Sequence, residues 1–415
     1  MEVSPIGRSG LGAFDDGRVG VYVHLPFCER ICPYCDFAVV AARVLPPELE
    51  ARYVDALVRE LAARQADFEG RSLASLYFGG GTPSLFQPRS IGRLVEAVRA
   101  TFPDPSDDAG IEVTLELNPS TLERDRLPGF RAAGIDRLSI GIQSFQDPQL
   151  KRLGRAHRAS VAHETLHAAR TAGFDNLSLD LIFALPDQSL AELDLDLVEL
   201  IAFRPEHIST YELTFEPETP FGKALASGRM RSCDEDRAAD MIEHVEARLE
   251  VEGYLRYEIS SYARDERRSR HNARYWQRQS VLGLGLGAHS FEPRTPQHPH
   301  GRRRANPRSL EAWLHAVELQ PARAGSEEIF AAATARGEAV FLALRQREGL
   351  AAHRFAAEFG HDPRHYFGAE IDAALARGWL EEGAPEPGDL RLTRPGRLVA
   401  DSVAALFVDA EGTKA

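Results

Sequence analysis

Short apolar segments alternate with amphipathic segments along the chain up to residue 252. Several of the short segments are apolar on both faces, as buried parallel strands are. The predicted strands cover residues 19–25, 75–80, 111–118, 137–144, 176–185 and 207–213, and the predicted helices cover 47–66, 90–101, 121–132, 160–172, 189–203 and 234–252. Six successive strand–helix units predict an α/β fold built on a TIM-like parallel barrel or a partial (β/α)6 barrel.

The pattern changes after residue 305, where amphipathic helices follow one another. Residues 389–408 predict a short β-wing and a final helix. The other predicted helical segments of this part are 306–319, 326–346, 350–360 and 365–383. We therefore expect an extension over 1–18, a barrel domain over 19–300, and a smaller, mostly helical, winged-helix-like domain over 305–410.

Charge and composition narrow the class of protein. The chain has 415 residues, enough for a large and a small domain, and its formal net charge is −13. This acidity disfavours non-specific nucleic-acid binding, and we expect no nucleic-acid partner. The exception is the arginine run 302–304, which fits either a solvated loop or a contact for an anionic ligand. The absence of a signal-peptide pattern and of a long apolar run predicts a cytoplasmic protein.

Three of the four cysteines lie within eight residues, at 28, 32 and 35. Their spacing suits convergence on a metal centre better than a disulfide framework. A cubane cluster held by Cys28, Cys32 and Cys35 would leave one iron open for a substrate or cofactor, so we predict a [4Fe–4S] cluster. A zinc site completed by His24 is the alternative. Cys233 stands alone and fits a small buried structural residue.

Further polar residues fall at the ends of the predicted strands, where barrel enzymes carry their chemistry. The cysteines follow the first strand, and the glycine-rich segment 79–83 follows the second. Glu116 and Gln143 end the third and fourth strands, and Asp180 lies in the fifth. Each carboxylate alone also fits a buried ion pair. Together they predict a polar cradle for a ligand, with glycine N–H groups available to an anionic part of it.

The motifs around these residues resemble those of the HemN/HemW family of radical S-adenosylmethionine (SAM) proteins. The resemblance covers about residues 19–290. It rests on YVHLPFCERICPYCDF (22–37), GGGTPS (79–84), ELNP (116–119), SIGIQSF (139–145), LGRAH (153–157), DLIFALP (180–186) and HNARYW (271–276). The departures are small: Ala184 stands where the family usually has glycine, and Ser189 where threonine is common.

The resemblance implies a [4Fe–4S] cluster whose open iron holds the amino and carboxylate groups of SAM. Reduction then releases a 5′-deoxyadenosyl radical. Tyr34 falls where an aromatic ring packs beside the adenine, and some relatives bind a second SAM. The residues that match SAM-binding positions are Tyr22, Tyr34, Gly80, Gly81, Thr82, Glu116, Gln143, Arg155 and Asp180.

Two features separate the branches of the family. The oxygen-independent coproporphyrinogen III oxidases carry a further cysteine two residues after the third, where this chain has Phe37. HNARYW matches the HNxxYW motif of the HemW branch, which the oxidases lack. The resemblance thus implies a haem chaperone that passes haem to apoproteins such as respiratory enzymes at the membrane. The alternatives are oxidative decarboxylation of coproporphyrinogen III and radical chemistry on another substrate.

The HNARYW segment holds the candidate haem residues. His271 offers an imidazole to haem iron, while Tyr275 and Trp276 offer flat surfaces to a porphyrin. Arg274 or the arginines at 302–304 suit the propionates, and His289 is a second candidate ligand. In the alternative, His271 caps a turn and the two aromatic residues pack in the core. The sequence leaves open whether SAM is cleaved and whether the chain forms a homodimer.

Overall fold

A twelve-stranded mixed sheet organises the computed structural model, which describes residues 13–105, 110–264, 267–383 and 385–408. Its strand order is β14-β13-β12-β11-β1-β4-β5-β6-β7-β8-β10-β9. The strands are β1 Arg18–Leu25, β2 Phe27–Cys28, β3 Val40–Ala41, β4 Ser72–Gly80, β5 Glu112–Leu117, β6 Arg137–Gln143, β7 Leu177–Phe183, β8 His207–Glu212, β9 Leu255–Arg256, β10 Ser261–Ala263, β11 Val281–Leu284, β12 His289–Glu292, β13 Arg302–Ala305, β14 Ser326–Ile329, β15 Leu380–Glu382 and β16 Leu390–Leu392.

Helices cover the sheet and build the C-terminal region. They are α1 Pro47–Arg64, α2 Pro88–Thr101, α3 Thr121–Ala132, α4 Asp147–Arg152, α5 Ala159–Thr171, α6 Leu190–Phe203, α7 Pro220–Ala226, α8 Glu235–Val251, α9 Arg270–Trp276, α10 Leu310–Leu319, α11 Ala332–Leu344, α12 Ala352–Phe359, α13 Pro363–Ala376, α14 Arg394–Leu398 and α15 Ala400–Val408. Short 3₁₀ turns occupy Gln65–Phe68, Pro83–Leu85 and Pro321–Arg323. In the described part of the chain, no helix is both long and apolar enough to cross a membrane.

The parallel part of the sheet confirms the predicted fold class. Strands β1 and β4 to β8 are parallel neighbours in chain order, and a helix follows each of them. Their carboxyl ends therefore lie along one edge, as a partial (β/α)6 barrel requires. The structure adds one parallel strand that the sequence did not predict: β11 pairs with the free side of β1. The strand before the cysteines is thus an interior strand.

Beyond β11 the sheet continues with three antiparallel strands, and two predictions were wrong there. The arginine run 302–304 is strand β13, not a solvated loop, and residues 326–329 are strand β14, not the start of a helix. The register places Arg303 opposite Glu328 and Arg304 opposite Glu327. Opposite charges facing each other across a strand pair stabilise it, and they explain why so polar a segment joins the sheet.

The two departures from the family motifs have clear local consequences. Ser189 caps α6 in a capping box with Glu192, a role that serine fills as well as threonine. Ala184 has a φ of 56°, in the left-handed region. A Cβ is unfavourable there by about 1–2 kcal/mol, so glycine would occupy this position without strain.

The described residues form two large apolar cores and a small third cluster, and the larger core includes Trp313 and Leu314 of α10. The larger core packs the barrel strands against their helices. The smaller core belongs to the helical C-terminal region and includes Phe355, Phe367 and Phe407, together with Phe14 from the N-terminal segment. The predicted domain limits stay predictions, and residues 1–12 and 409–410 of those predicted domains lie outside the described residues.

Candidate functional site

A cavity of about 820 Å3 opens at the carboxyl ends of the parallel strands. Residues of the C-terminal region, including Arg345 and 398–402, form part of its wall. The three cysteines line it, as do all the predicted SAM residues except Tyr22 and Thr82; these residues are Cys28, Cys32, Cys35, Tyr34, Gly80, Gly81, Glu116, Gln143, Arg155 and Asp180. The fold therefore brings together residues that the sequence separates by more than a hundred positions.

The cysteine loop leaves β1 and passes through the short strand pair β2–β3. Cys28 is buried, whereas Cys32 and Cys35 are half-buried. Burial raises the pKa of the Cys28 thiol to about 11 and also raises that of Cys35. No group of three or more His, Cys, Asp or Glu side chains in the described residues is gathered for a single metal ion. Thiolates of a cubane cluster bind separate irons and need not meet at one point.

A polar network connects two of the thiols. The Thr82 hydroxyl lies 3.7 Å from Cys28 Sγ and accepts a 2.8 Å hydrogen bond from Asn118 Nδ2. Arg155 donates to Asn118 Oδ1, and its Nη1 lies 3.5 Å from Cys32 Sγ. Asn118 was not among the predicted site residues. Its place in the ELNP motif, directly after β5, was the signal that could have identified it.

Several buried polar atoms in this region have no partner within the protein. They are Gln143 Oε1, Asp180 Oδ1 and Arg155 Nε. Burial, together with the neighbouring Glu116, raises the pKa of Asp180 to about 7. Buried polar atoms are nearly always hydrogen-bonded, so this set fits a polar ligand that completes their bonds. Gln143 also has a φ of 69°, a strained conformation of the kind that clusters at functional sites.

The glycine segment 79–83 shapes the turn after β4. The sequence suggested that its N–H groups are available to a ligand, but three of them are hydrogen-bonded within the protein. Gly80 N donates to Glu116 Oε2, Gly81 N to the Leu25 carbonyl, and Thr82 N to the Phe27 carbonyl. A Cβ at Gly81 would lie 2.6 Å from the backbone carbonyl group that follows β1. Glycine is therefore needed for the close approach of this turn to the cysteine loop.

Tyr22 and His24 are hydrogen-bonded within the protein. His24 Nε2 lies 2.8 Å from the Ala38 carbonyl, and Nδ1 lies 3.0 Å from the Tyr22 hydroxyl. Burial lowers the pKa of His24 to about 4. Both ring nitrogens are used, so the structure does not offer His24 as the fourth ligand that a zinc site would need. Cys233 lies far from the loop along the chain and packs, half-buried, against the larger core.

The HNARYW segment is helix α9, which packs at the opposite, amino-terminal end of the strands. His271 is only 1% exposed. Its Nδ1 shares a 2.9 Å hydrogen bond with Ser75 Oγ, and its Nε2 lies 3.3 Å from the Tyr275 hydroxyl. Burial lowers the pKa of His271 to about 3. In this conformation the histidine is a packed interior residue, and it does not cap a turn as the alternative interpretation expected.

The other candidate haem residues also lie outside the cavity. The Arg345 guanidinium lies over Trp276, with its central carbon 4.8 Å from the centroid of the tryptophan ring. Arg274 Nη1 forms an ion pair with Asp16 Oδ2 at 2.9 Å. His289 is exposed on β12. The arginines of β13 are already paired with acidic residues of this chain: Arg302 with Glu292, Asp67 and Glu327, Arg303 with Glu338, and Arg304 with Glu327.

Comparisons with known proteins agree with the fold and the motifs. The pattern of the Radical SAM superfamily matches residues 22–198, and that of the HemN C-terminal domain matches 332–399. Heme chaperone HemW of Escherichia coli is 34% identical, covering 94% of this chain and 98% of the relative. Heme chaperone HemW of Bacillus subtilis is 30% identical, and the match covers 93% of this chain and 98% of the relative. The structure of coproporphyrinogen III oxidase (HemN) from Escherichia coli has the same fold, with a TM-score of 0.78 and 22% identity. The match covers 95% of this chain and 90% of that structure. The chain belongs to the HemW family of radical SAM proteins.

Proposed function

We propose that this protein is a haem chaperone that carries a [4Fe–4S] cluster and SAM, and that it delivers haem to apoproteins. The observation that carries the cofactor part is the placement of three thiols on one loop at a cavity with unpartnered buried polar atoms. The haem part is supported by near full-length similarity to relatives named heme chaperone HemW. Phe37, two residues after Cys35, supports the same branch of the family over the oxidases.

Cys28, Cys32 and Cys35 would hold the cluster. A [4Fe–4S] cluster with one open iron supplies a binding point for SAM and an electron for its cleavage. Arg155 provides a positive charge next to Cys32, which offsets the charge of a thiolate there. Thr82 orients Cys28 through its hydroxyl.

The remaining cavity residues would bind SAM. Glu116, Gln143 and Asp180 offer acceptors to its hydroxyl and amino groups, and Gln143 and Asp180 each hold an oxygen without a partner. Tyr34 lies next to the second cysteine and lines the same space, where a ring can pack beside an adenine. Gly80 and Gly81 keep the floor of the cavity close to the cysteine loop. Tyr22 would act indirectly, because its hydroxyl is bonded to His24.

Haem would bind at the HNxxYW helix, with His271 as the iron ligand and Tyr275 and Trp276 against the porphyrin. This requires His271 to leave its interior position, because both of its nitrogens are engaged there. Arg274 or Arg302 to Arg304 would meet the propionates after releasing their acidic partners. The proposal also includes a cytoplasmic location, acceptors among membrane respiratory enzymes, and a homodimer.

A haem titration of the anaerobically reconstituted protein tests this function. We expect one haem per chain, a Soret band distinct from that of free haem, and transfer to an added apoprotein. His271→Ala should weaken binding or transfer, whereas His315→Ala, which replaces an exposed histidine of α10, serves as the control. Failure to bind haem stoichiometrically would overturn the proposal. Conversion of coproporphyrinogen III to protoporphyrinogen IX would favour the oxidase alternative instead.

A further inference from the structure

One side chain connects the HNxxYW helix with the cavity. Tyr77 lies on β4, and its hydroxyl donates a 2.7 Å hydrogen bond to Glu116 Oε1. The ring of Tyr77 stacks on the His271 imidazole, with centroids 5.2 Å apart and an interplanar angle of 29°. A single buried tyrosine therefore contacts both Glu116, a proposed SAM-binding residue, and His271, the proposed haem ligand.

The packing around Tyr77 leaves little free space. Tyr77 is 7% exposed, and the Tyr22 ring lies against both Tyr77 and His271, with centroid distances of 6.1 and 6.2 Å. A Cβ at Gly79 would lie 2.9 Å from the rings of Tyr22 and Tyr77 and 3.2 Å from Glu116 Oε1. In an interior this dense, the movement of one ring is transmitted to its neighbours.

Among the described residues, Tyr77 and one backbone group donate hydrogen bonds to the Glu116 carboxylate, and Arg137 adds an attractive charge. The second oxygen of Glu116 accepts from Gly80 N at 3.1 Å, and burial raises the pKa of this carboxyl group. Loss of the Tyr77 hydrogen bond would leave Oε1 of a buried carboxylate without the donor that holds it. The carboxylate would then turn or move.

Helix α9 makes two further contacts, one with the start of a barrel strand and one with a residue that lines the cavity. Its backbone N–H groups at Arg270 and His271 donate to Glu112 Oε1, at the start of the strand that ends near Glu116. At its other end, Trp276 packs under Arg345, which lines the cavity. The helix thus supports the barrel strands and the C-terminal wall together.

Iron ligation by His271 conflicts with this arrangement. The imidazole is 1% exposed and its two nitrogens are engaged by Ser75 and Tyr275, so a haem cannot reach it in place. The ring would have to move outward, and Tyr77 would lose the surface on which it stacks.

We propose that helix α9 positions the SAM-binding carboxylate, and that haem ligation by His271 and SAM binding at Glu116 oppose each other. Tyr77 and His271 are positioning residues for Glu116. The inference rests on the proposed function. Since coupling between two binding equilibria is reciprocal, haem lowers the affinity for SAM by the same factor by which SAM lowers the affinity for haem. A factor of roughly 5–150 is typical of such coupling.

The positioning role is tested without haem. Tyr77→Phe keeps the ring stack but removes the hydroxyl, and we expect about a tenfold rise in the SAM dissociation constant, measured calorimetrically on the reconstituted protein. The matched control is Tyr254→Phe, which removes a buried hydroxyl bonded to the Pro205 carbonyl. An equal loss of SAM affinity in both variants, or no loss in Tyr77→Phe, would contradict the positioning role.

The antagonism is tested by titrating haem with and without SAM, and SAM with and without haem. We expect both dissociation constants to rise by the same factor. His271→Ala should weaken both ligands, whereas His271→Phe, which keeps a flat ring against Tyr77, should weaken SAM binding less than His271→Ala does. If haem binds normally and SAM affinity stays the same, the antagonism is wrong while the proposed function stands. If no haem binds, the proposed function and the antagonism both fail, and the Tyr77→Phe result alone decides the positioning role.

Discussion

Arg155 and Cys32 are in direct contact across the cavity, with Arg155 Nη1 3.5 Å from Cys32 Sγ. The other arm of the guanidinium donates a 2.8 Å hydrogen bond to the Gly141 carbonyl and a further bond to Asn118. A positive charge is thereby held at a fixed position beside one proposed cluster ligand. Because the potential of an iron–sulfur cluster depends on nearby charge and on hydrogen bonds to sulfur, this contact has a measurable consequence.

Arg155→Gln should lower the reduction potential of the cluster, on the order of tens of millivolts, because the reduced and more negative state loses a nearby positive charge. Arg155→Lys keeps the charge and should shift the potential less. The measurement is a redox titration followed by electron paramagnetic resonance. Arg158→Gln, an exposed residue of the same segment, is the control. Equal potentials in the Arg155→Gln variant and the unmodified protein would contradict the assigned role.

Each of Cys28→Ser, Cys32→Ser and Cys35→Ser should abolish full cluster incorporation, because a three-thiolate site has no spare ligand. Cys233→Ser should retain it, since Cys233 packs against the apolar core. Iron and sulfide analysis of protein reconstituted without oxygen measures the outcome. A full [4Fe–4S] content in any of the first three variants would remove that cysteine from the proposed ligand set.

Asp180 makes the free energy of unfolding depend on pH. Burial and then Glu116 raise its pKa from an ordinary 3.8 to about 7. Between pH 4 and 7 the unfolded chain is ionised at this position while the folded protein keeps its proton, so stability falls as pH rises through that window.

Asp180→Asn removes this loss. Relative to the unmodified protein, the variant should gain roughly 2–3 kcal/mol between pH 5 and pH 8 in urea unfolding without SAM. Asp175→Asn replaces an exposed carboxylate in the same region and is the control. A gain well below this value would show that Asp180 is ionised more easily in the folded state than its burial implies.

Ala184→Gly should change the free energy of unfolding little, whereas the same substitution at an alanine with an ordinary backbone conformation should lower it. The substitution relieves the left-handed strain at φ 56°, and this gain offsets the lost buried methyl group and the greater freedom of the unfolded chain. Ala172, with a φ of −73°, has no such strain, and Ala172→Gly should cost about 0.5–1 kcal/mol. Thermal unfolding compares the two. A larger loss in Ala184→Gly than in Ala172→Gly would contradict this explanation of the family's glycine.

The barrel strands could be predicted because their apolar runs are local and continuous. Strand β7, predicted over 176–185, occupies Leu177–Phe183. The short strand β11 could not be recognised, because its glycine-rich sequence is typical of a turn, and only its pairing with β1 makes it a strand. Arg302 to Arg304 lacked any strand pattern, and their acidic partners come from several distant segments.

Sequence alone determined the family, the order of the barrel elements and the three thiols of the proposed cluster site, since these depend on spacing within short segments. Only the tertiary structure decided which of the motif residues face the cavity. His271 contacts Ser75 across 196 positions, and Tyr77 contacts Glu116 across 39. Contacts between residues so far apart in the sequence form only when the strands pair and helix α9 packs against them. For that reason the HNxxYW histidine, predicted from sequence to be a haem ligand, lies against Tyr77, whose hydroxyl is bonded to Glu116.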